Sequence, residues 1–176
     1  THAGATFIII KHNNACGVAT RETVLDAWKT ALSCDPVSAF GGILATNTTI
    51  DLATATEINQ LFFEVLIAPA YDADALELLK GKNNRIVLET TGNIALNPNM
   101  VRTALNGQLI QDRDSLTETQ LNMTAVTETL PTESQLHDLE FAVKLVKQTK
   151  SNTIVLVKNQ QLLASGTGQT SRVDAL

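Results

Sequence analysis

The sequence predicts an α/β fold, a three-layer α/β/α sandwich built around a mixed sheet. Short apolar runs rich in β-branched residues alternate along the chain with segments whose apolar residues recur at helical spacing. Pairs of apolar runs in the second half are separated only by short polar turns. These turns predict hairpins, so antiparallel strand pairs join a sheet that is otherwise of the α/β type.

Composition and charge limit the classes of protein to which the chain can belong. The 176 residues are 44% hydrophobic and 18% charged, which is typical of a globular domain with a core of its own. The net charge of -5 argues against a nucleic-acid partner, and no apolar run approaches the roughly 20 residues of a membrane helix. Cys16 and Cys34 form no C-x-x-C pair, so we expect a reduced, cytoplasmic setting without disulfide bonds.

The first half of the chain is expected to contain three strands and two helices. Residues 6–10 form a buried strand, and Thr20 is expected to cap a helix over residues 21–33 that ends at Asp35-Pro36. A strand follows near residues 43–45. A second helix is expected over residues 52–64, and a short strand over residues 66–68.

The second half is expected to begin with a short helix capped by Asp72, followed by a strand over residues 86–88. Residues 101–105 and 108–111 predict a hairpin with a type I′ turn at Asn106-Gly107, and residues 112–131 carry no clear signal. A capping box at Thr132 starts the next helix, and residues 153–158 and 161–165 predict a last hairpin. The apolar stripe of that helix is expected to consist of Leu136, Leu139, Val143 and Val146.

Four polar residues, Lys11 to Asn14, follow directly after the first buried strand. Open α/β sheets bind ligands at such strand ends. The Lys11 ammonium disfavours a second positive charge, so we expect His12 to be neutral and able to accept a proton. The alternative is an ordinary transition from strand to loop.

The segment DPVSAFGG at residues 35–42 combines a turn, an isolated aromatic residue and paired glycines. Phe40 is a candidate to line a pocket for a planar ring, and Gly41 lets the backbone approach a ligand closely. A tight turn with Phe40 in the core is the alternative.

Three further residues are candidates for ligand contacts. Asn152 follows the lysine-rich helix end, where it either makes a turn or points its amide toward His12. Arg172 ends the loop GTGQTSR, which has the composition of an anion-binding loop but no complete nucleotide motif. Glu64 is expected at a helix C-terminus, where an acid is disfavoured, and this hints at a ligand. His2 and His137 are expected at the surface, and no zinc-binding motif occurs.

Taken in order, these motifs resemble one family. Residues 11–19, KHNNACGVA, are similar to the KHxNPCG(V/L)A signature of bacterial AICAR transformylases, with Ala15 in place of the usual proline. DPVSAFGG at 35–42 and FEVLIAPAY at 63–71 resemble two further family segments, as do residues 82–85, 147–152 and 166–172. The similarity covers nearly the whole chain.

The resemblance implies a fold, a reaction and a set of roles. The fold would be cytidine-deaminase-like, and residues 1–176 would be the first of two such subdomains, cut at both ends from a protein that is also an IMP cyclohydrolase. The reaction would transfer a formyl group from 10-formyltetrahydrofolate, as co-substrate, to the 5-amino group of AICAR, without a metal and at a homodimer interface.

The same resemblance assigns roles to individual residues. His12 would accept the proton from the amine, and Asn152 would orient the reacting groups. Lys11 would tune the proton affinity of His12 or protonate the leaving nitrogen. The substrate-binding residues would be Asn14, Phe40, Gly41, Glu64 and Arg172. Two alternatives remain, namely a non-catalytic binding or assembly module and, by fold kinship alone, a zinc deaminase.

Overall fold

A mixed seven-stranded sheet organises the computed structural model, which describes residues 4–92 and 96–176. The strand order is β5-β4-β3-β1-β2-β9-β8, and β6 and β7 form a separate two-stranded sheet. The strands are β1 Ala5–Lys11, β2 Asn14–Arg21, β3 Gly42–Thr46, β4 Phe63–Ala68, β5 Ile86–Glu89, β6 Asn99–Ala104, β7 Gly107–Asp112, β8 Ile154–Lys158 and β9 Gln161–Gly166. The helices are α1 Val24–Cys34, α2 Leu52–Ile58, α3 Ala73–Lys80, α4 Glu133–Val146 and α5 Arg172–Ala175, with a 3-10 turn at Gln120–Asn122.

The pairing of the strands confirms the predicted mixed sheet. Strands β3, β4 and β5 run parallel, whereas β1 pairs antiparallel with both β2 and β3. Strand β9 pairs antiparallel with β2 and with β8. Short hairpins supply the antiparallel pairs β1–β2 and β8–β9, and long connections supply the pairs β1–β3 and β2–β9. The crossover helices α2 and α3 make the parallel pairs possible.

Helices cover both faces of the sheet, which gives three layers. Phe7 and Ile9 of β1 are fully buried in the larger core, together with residues of α1, α2 and α3. Ile8 points to the opposite face and packs in a second cluster that contains Phe141 of α4. Because successive side chains of a strand alternate between faces, α4 lies on the other side of the sheet from α1.

The sequence-based interpretation of the first 25 residues was wrong in two respects. It missed β2, which pairs with β1 from Ala5↔Arg21 to Lys11↔Asn14. It also placed the cap of α1 at Thr20, whereas the side chain of Thr23 accepts the hydrogen bond from the Asp26 amide. Thr20 lies in β2, where its hydroxyl is 2.8 Å from that of Thr6. A strand that continues to Arg21 leaves Thr20 no helix to cap.

The predicted helix over residues 52–64 is too long. Helix α2 ends at Ile58, and Phe63 already belongs to strand β4. The periodic apolar residues at 61, 62 and 65 fit a helix locally, but β4 gains ladder hydrogen bonds on both sides by pairing with β3 and β5. Tertiary pairing therefore overrides the local helical pattern.

Two details of the second half also differ from prediction. The β6–β7 turn consists of Leu105 and Asn106, and of these two only Leu105 has a positive φ, so the turn is not type I′. The capping box at Thr132 is confirmed, but Leu139 of α4 is 47% exposed and Phe141 is the buried residue. The β8–β9 hairpin is confirmed, with its turn at Asn159 and Gln160.

One end of the sheet gathers the segments that carry the candidate residues. The pairing partners place the Lys11 end of β1 beside the starts of β2 and β3, and the parallel pairing adds the starts of β4 and β5. The end of β9 and the start of β8 lie at the same end, because Ile154 pairs with Gly166. His2 lies outside the described residues.

Candidate active site

A cavity of about 310 Å³ opens at this end of the sheet. It brings together five of the eight predicted site residues from three separate segments of the chain. The cavity is lined by Ile10, Lys11, His12, Phe40, Gly41, Ile43, Phe62 and Glu64. An ammonium, an imidazole and a carboxylate therefore share one opening with two aromatic rings.

The tight turn between β1 and β2 presents His12 to solvent. Lys11 pairs with Asn14, so His12 and Asn13 form a two-residue turn in which both have positive φ, 50° and 67°. Positive φ at both turn residues is the geometry that continues the twist of a hairpin. His12 is exposed at the cavity. The segment is a tight hairpin turn and not the ordinary loop of the alternative interpretation, so the position from which the His12 ring emerges is fixed.

The ammonium of Lys11 is held against the DPVSAFGG segment. Its Nζ donates a hydrogen bond to the carbonyl oxygen of Phe40 and lies 3.7 Å from the position that a Cβ on Gly41 would occupy. Lys11 is half-buried, whereas His12 is exposed. The positive charge is thus fixed at the wall of the cavity beside a freely accessible imidazole.

The DPVSAFGG segment forms a hydrogen-bonded turn before β3. The amide of Ser38 donates to Asp35 Oδ1 at 2.9 Å, and hydrogen bonds from Ser38 hold the pKa of Asp35 below its ordinary value. Gly41 has a φ of 70°, and its amide donates to the carbonyl oxygen of Phe62 at 2.8 Å. Phe40 is 59% exposed, so the alternative of a core Phe is wrong.

A β-bulge places Glu64 at the rim of the cavity. The β3–β4 pairing steps from Gly42↔Phe63 to Ile43↔Val65, which leaves Glu64 without an opposite residue. Such bulges re-aim a side chain and are common beside active sites. The predicted position of Glu64 at a helix C-terminus is wrong, and it is the bulge that brings this carboxylate to the cavity.

Asn14, Asn152 and Arg172 do not line the cavity. Asn14 closes the turn at the base of His12, and its Nδ2 lies 3.4 Å from the His12 carbonyl oxygen. Asn152 is tied to the glycine-rich loop, because its amide and carbonyl bond to Gln169 and its Nδ2 donates to Thr170 O at 3.3 Å. Arg172 is exposed and begins α5.

Asn152 and His12 lie at the same end of the sheet, but His12 follows β1 whereas Asn152 precedes β8. The order β1-β2-β9-β8 separates the first strand from the last by three spacings, roughly 14 Å at about 4.8 Å per spacing. A ligand that contacted both residues would have to extend across the start of β2 and the end of β9. The two side chains therefore share one end of the sheet but are not adjacent there.

Sequence reasoning missed three residues of the cavity, Ile10, Ile43 and Phe62. Phe62 was assigned to the apolar face of a helix, but it precedes β4 and is 44% exposed. The aromatic and β-branched run that begins at Phe62 favours a strand, and this signal could have identified its position.

Across residues 4–92 and 96–176, no three His, Cys, Asp or Glu side chains are grouped as a metal site requires. In the same residues, no helix has the length and apolar character needed to cross a membrane.

Together, the fold and the cavity define an α/β domain with a cavity of polar and aromatic lining at one end of its sheet. The family model described as "AICARFT/IMPCHase bienzyme" matches residues 1–176. The chain therefore belongs to the AICARFT/IMPCHase bienzyme family, and the resemblance found from its motifs is confirmed.

Individual relatives agree with the family match. The chain is 58% identical over 171 residues to the bifunctional purine biosynthesis protein PurH of Bacteroides thetaiotaomicron, covering 97% of this chain and 34% of the relative. It is 45% identical to the PurH protein of Chlorobium phaeovibrioides, covering 96% of this chain and 32% of the relative. It is 43% identical to that of Lacticaseibacillus casei, covering 96% and 34%. The chain thus spans about a third of the length of these curated relatives.

Proposed function

We propose that this chain supplies part of the active site for formyl transfer from 10-formyltetrahydrofolate to the 5-amino group of AICAR. It would act within a longer, homodimeric protein that is also an IMP cyclohydrolase. The observation that carries the proposal is the cavity in which Lys11, His12 and Glu64 meet beside Phe40. Membership of the bienzyme family supports the same reaction.

The chemistry of this transfer matches the groups at the cavity. The amine nitrogen attacks the formyl carbon, a new C–N bond forms, and the bond from that carbon to the folate nitrogen breaks. One proton leaves the amine and one arrives at the departing nitrogen. The amine is a weak nucleophile because its lone pair is delocalised into the imidazole ring and carboxamide, so a base at the amine is needed.

His12 is the group proposed to take the proton from the amine. Its ring is exposed at the cavity and its backbone is fixed by the β1–β2 turn. Lys11, held by the Phe40 carbonyl oxygen, is proposed to protonate the leaving nitrogen and to favour the negative charge that develops on the formyl oxygen. Glu64, Phe40 and Gly41 would bind substrate.

The remaining predicted residues are Asn14, Asn152 and Arg172, which are proposed to contact parts of the bound ligands that extend beyond the cavity. Asn152 and Arg172 lie at the same end of the sheet as His12, on the far side of the start of β2 and the end of β9. Asn152 would orient the formyl oxygen, Arg172 would face an anionic group, and Asn14 would support the His12 turn and contact substrate. The site would be completed by a second cytidine-deaminase-like subdomain and by the partner copy of the dimer.

Replacing His12 by Asn in a full-length bifunctional protein carrying this sequence tests the proposal. Asn tolerates the positive φ of this position, so the turn is preserved while the imidazole base is removed. We expect the rate of formyl transfer to fall by about 10²–10⁴-fold, the usual cost of losing a general base. The assay is formation of formyl-AICAR under saturating substrates.

Cyclohydrolase activity of the same preparation serves as the control for folding and should be unchanged. His137→Asn is the matched control variant, because His137 is exposed on α4 and its ring lies within hydrogen-bond distance of the Gln120 side chain, outside the cavity. This variant should transfer formyl groups at the wild-type rate. Transfer by His12→Asn within threefold of wild type would contradict the proposed role.

A further inference from the structure

The exposed aromatic side chains of this chain are concentrated at the cavity. The sequence has one Trp, one Tyr and five Phe, and all seven lie in residues 4–92 and 96–176. Five of these side chains are buried or half-buried, namely Phe7, Trp28, Phe63, Tyr71 and Phe141. The two exposed ones are Phe40, at 59%, and Phe62, at 44%, and both line the same cavity.

The two rings form one apolar wall. Their centroids are 5.2 Å apart and the ring planes are inclined by 43°, which is within the range of attractive aromatic pairs. The hydrogen bond from the Gly41 amide to the Phe62 carbonyl oxygen ties together the two segments that carry the rings. A Cβ on Gly41 would lie 3.6 Å from the Phe62 ring, so the glycine leaves the surface of the wall unobstructed.

The neighbouring residue shows that core packing does not account for Phe62. Phe63 is fully buried, and the guanidinium of Arg85 lies 4.2 Å from its ring centroid. Phe62 points away from that core toward the opening, where water covers nearly half of its surface. Two exposed Phe rings at the mouth of a cavity leave apolar surface in contact with solvent, and a flat ligand stacked on them would bury that surface.

Polar groups share the cavity with this wall. Lys11, His12 and Glu64 supply an ammonium, an imidazole and a carboxylate, while Ile10 and Ile43 add apolar lining. A few polar groups beside a rigid aromatic surface are typical of sites that orient a small planar ligand. The combination selects a heteroaromatic ring with hydrogen-bonding substituents on its edge.

We propose that Phe62 is a binding residue that, with Phe40, forms the stacking surface for the heteroaromatic ring of one substrate. The proposal rests on the formyl-transfer function proposed above and assigns Phe62 to substrate affinity. AICAR and the pterin of the folate share the required chemistry, and separate measurements on the two distinguish them.

The test uses Phe62→Leu and Phe62→Tyr in the full-length bifunctional protein. Phe62→Leu keeps an apolar side chain but removes the ring, and we expect KM for one of the two substrates to rise by about 3–10-fold, in line with the strength of aromatic pairs. The rate constant kcat should stay within twofold, because the proposal gives the apolar ring of Phe62 no part in proton transfer. Phe62→Tyr retains the ring and should restore the wild-type KM.

Phe141→Leu is the matched control, since Phe141 is the buried residue of α4 and lies outside the cavity. It should lower the melting temperature and leave both KM values unchanged. Unchanged KM values in Phe62→Leu, or an equal rise in Phe141→Leu, would overturn the role of Phe62 while leaving formyl transfer intact. Failure of the proposed function would appear instead as undiminished transfer by His12→Asn.

Discussion

At the residue scale, the position of Tyr71 in the fold changes the pKa of its hydroxyl group. Its hydroxyl oxygen lies 3.1 Å from the carbonyl oxygen of Leu66 and 2.9 Å from that of Leu88, so it connects β4 and β5. Burial raises the pKa of Tyr71 to about 12, because a phenolate there would lose its hydration. The neutral phenol is therefore the form that the folded state favours.

This raised pKa predicts a loss of stability in alkali that Tyr71→Phe lacks. The folded pKa lies above the unfolded value of about 10, so the contribution is fully present below pH 10 and is lost as the pH rises toward 12. Urea unfolding at pH 9 and pH 11.5 should show a larger fall in free energy for wild type than for Tyr71→Phe.

Lysines titrate in the same range in both proteins, so their effect cancels in the comparison. The chain has a single tyrosine, and the ultraviolet absorbance of tyrosinate reports its ionisation directly. A titration midpoint near pH 10 in the folded protein would contradict the raised pKa.

At the element scale, caps explain where helices begin more reliably than periodicity explains where they end. Thr132 and Asp51 cap their helices through a hydrogen bond from a backbone amide three residues later, as does Thr23 in α1. Only part of this was predicted correctly, because Thr20 and Thr23 are equally good cap residues in sequence. The choice between them depends on how far β2 extends.

Removing the Thr23 cap should destabilise the protein by about 1 kcal/mol, within the usual range of about 0.5–2. Thr23→Ala deletes the oxygen that accepts from the Asp26 amide at 3.1 Å. Thr23→Ser retains that oxygen, so its free energy of unfolding should fall much less. The measurement is the free energy of unfolding in urea, and equal losses in the two variants would contradict the capping role.

The same scale explains why the residues around Glu64 were assigned to the wrong element. Leu61, Phe62 and Val65 recur at helical spacing, yet residues 63–68 form a strand with partners on both sides. The bulge that aims Glu64 at the cavity depends on the register with β3, whose residues lie about 20 positions earlier. No local pattern in the sequence encodes that register.

At the scale of the whole molecule, α4 covers a face of the sheet that the first three helices leave open. Phe141 is the buried contact from this helix, and it packs with Val18 and Leu162 of two different strands. Leu139, predicted as part of the apolar stripe, is 47% exposed. Helix α4 is therefore rotated about its axis relative to the orientation that the predicted apolar stripe implied.

Phe141→Ala should lower the free energy of unfolding by about 3–5 kcal/mol, as expected for a large cavity in a core. Leu139→Ala is the matched control and should change it by no more than about 0.5 kcal/mol. Denaturant unfolding of both variants measures the difference. A larger loss in Leu139→Ala than in Phe141→Ala would mean that the predicted stripe, rather than Phe141, faces the sheet.

The candidate site is also a property of the whole molecule. Lys11 and His12, Phe40 and Gly41, and Glu64 come from segments more than 20 residues apart, and the strand order brings them to one cavity. The motifs pointed to each of these residues separately, because core packing does not require clusters of polar residues and glycines at strand ends. Phe62 escaped detection because an apolar residue at helical spacing carries no such signal.

By itself, the sequence determined the class of fold, most of the strands, the β8–β9 hairpin and the family. These features follow from hydrogen bonds and side-chain preferences that act over a few residues, and from motifs preserved as short strings. The tertiary structure alone decided the end of α2, the bulge at Glu64, the rotation of α4 and the aromatic wall at Phe62. Each of these depends on pairing or packing with residues far away in the chain, and the free energy of such contacts exists only once the sheet has formed.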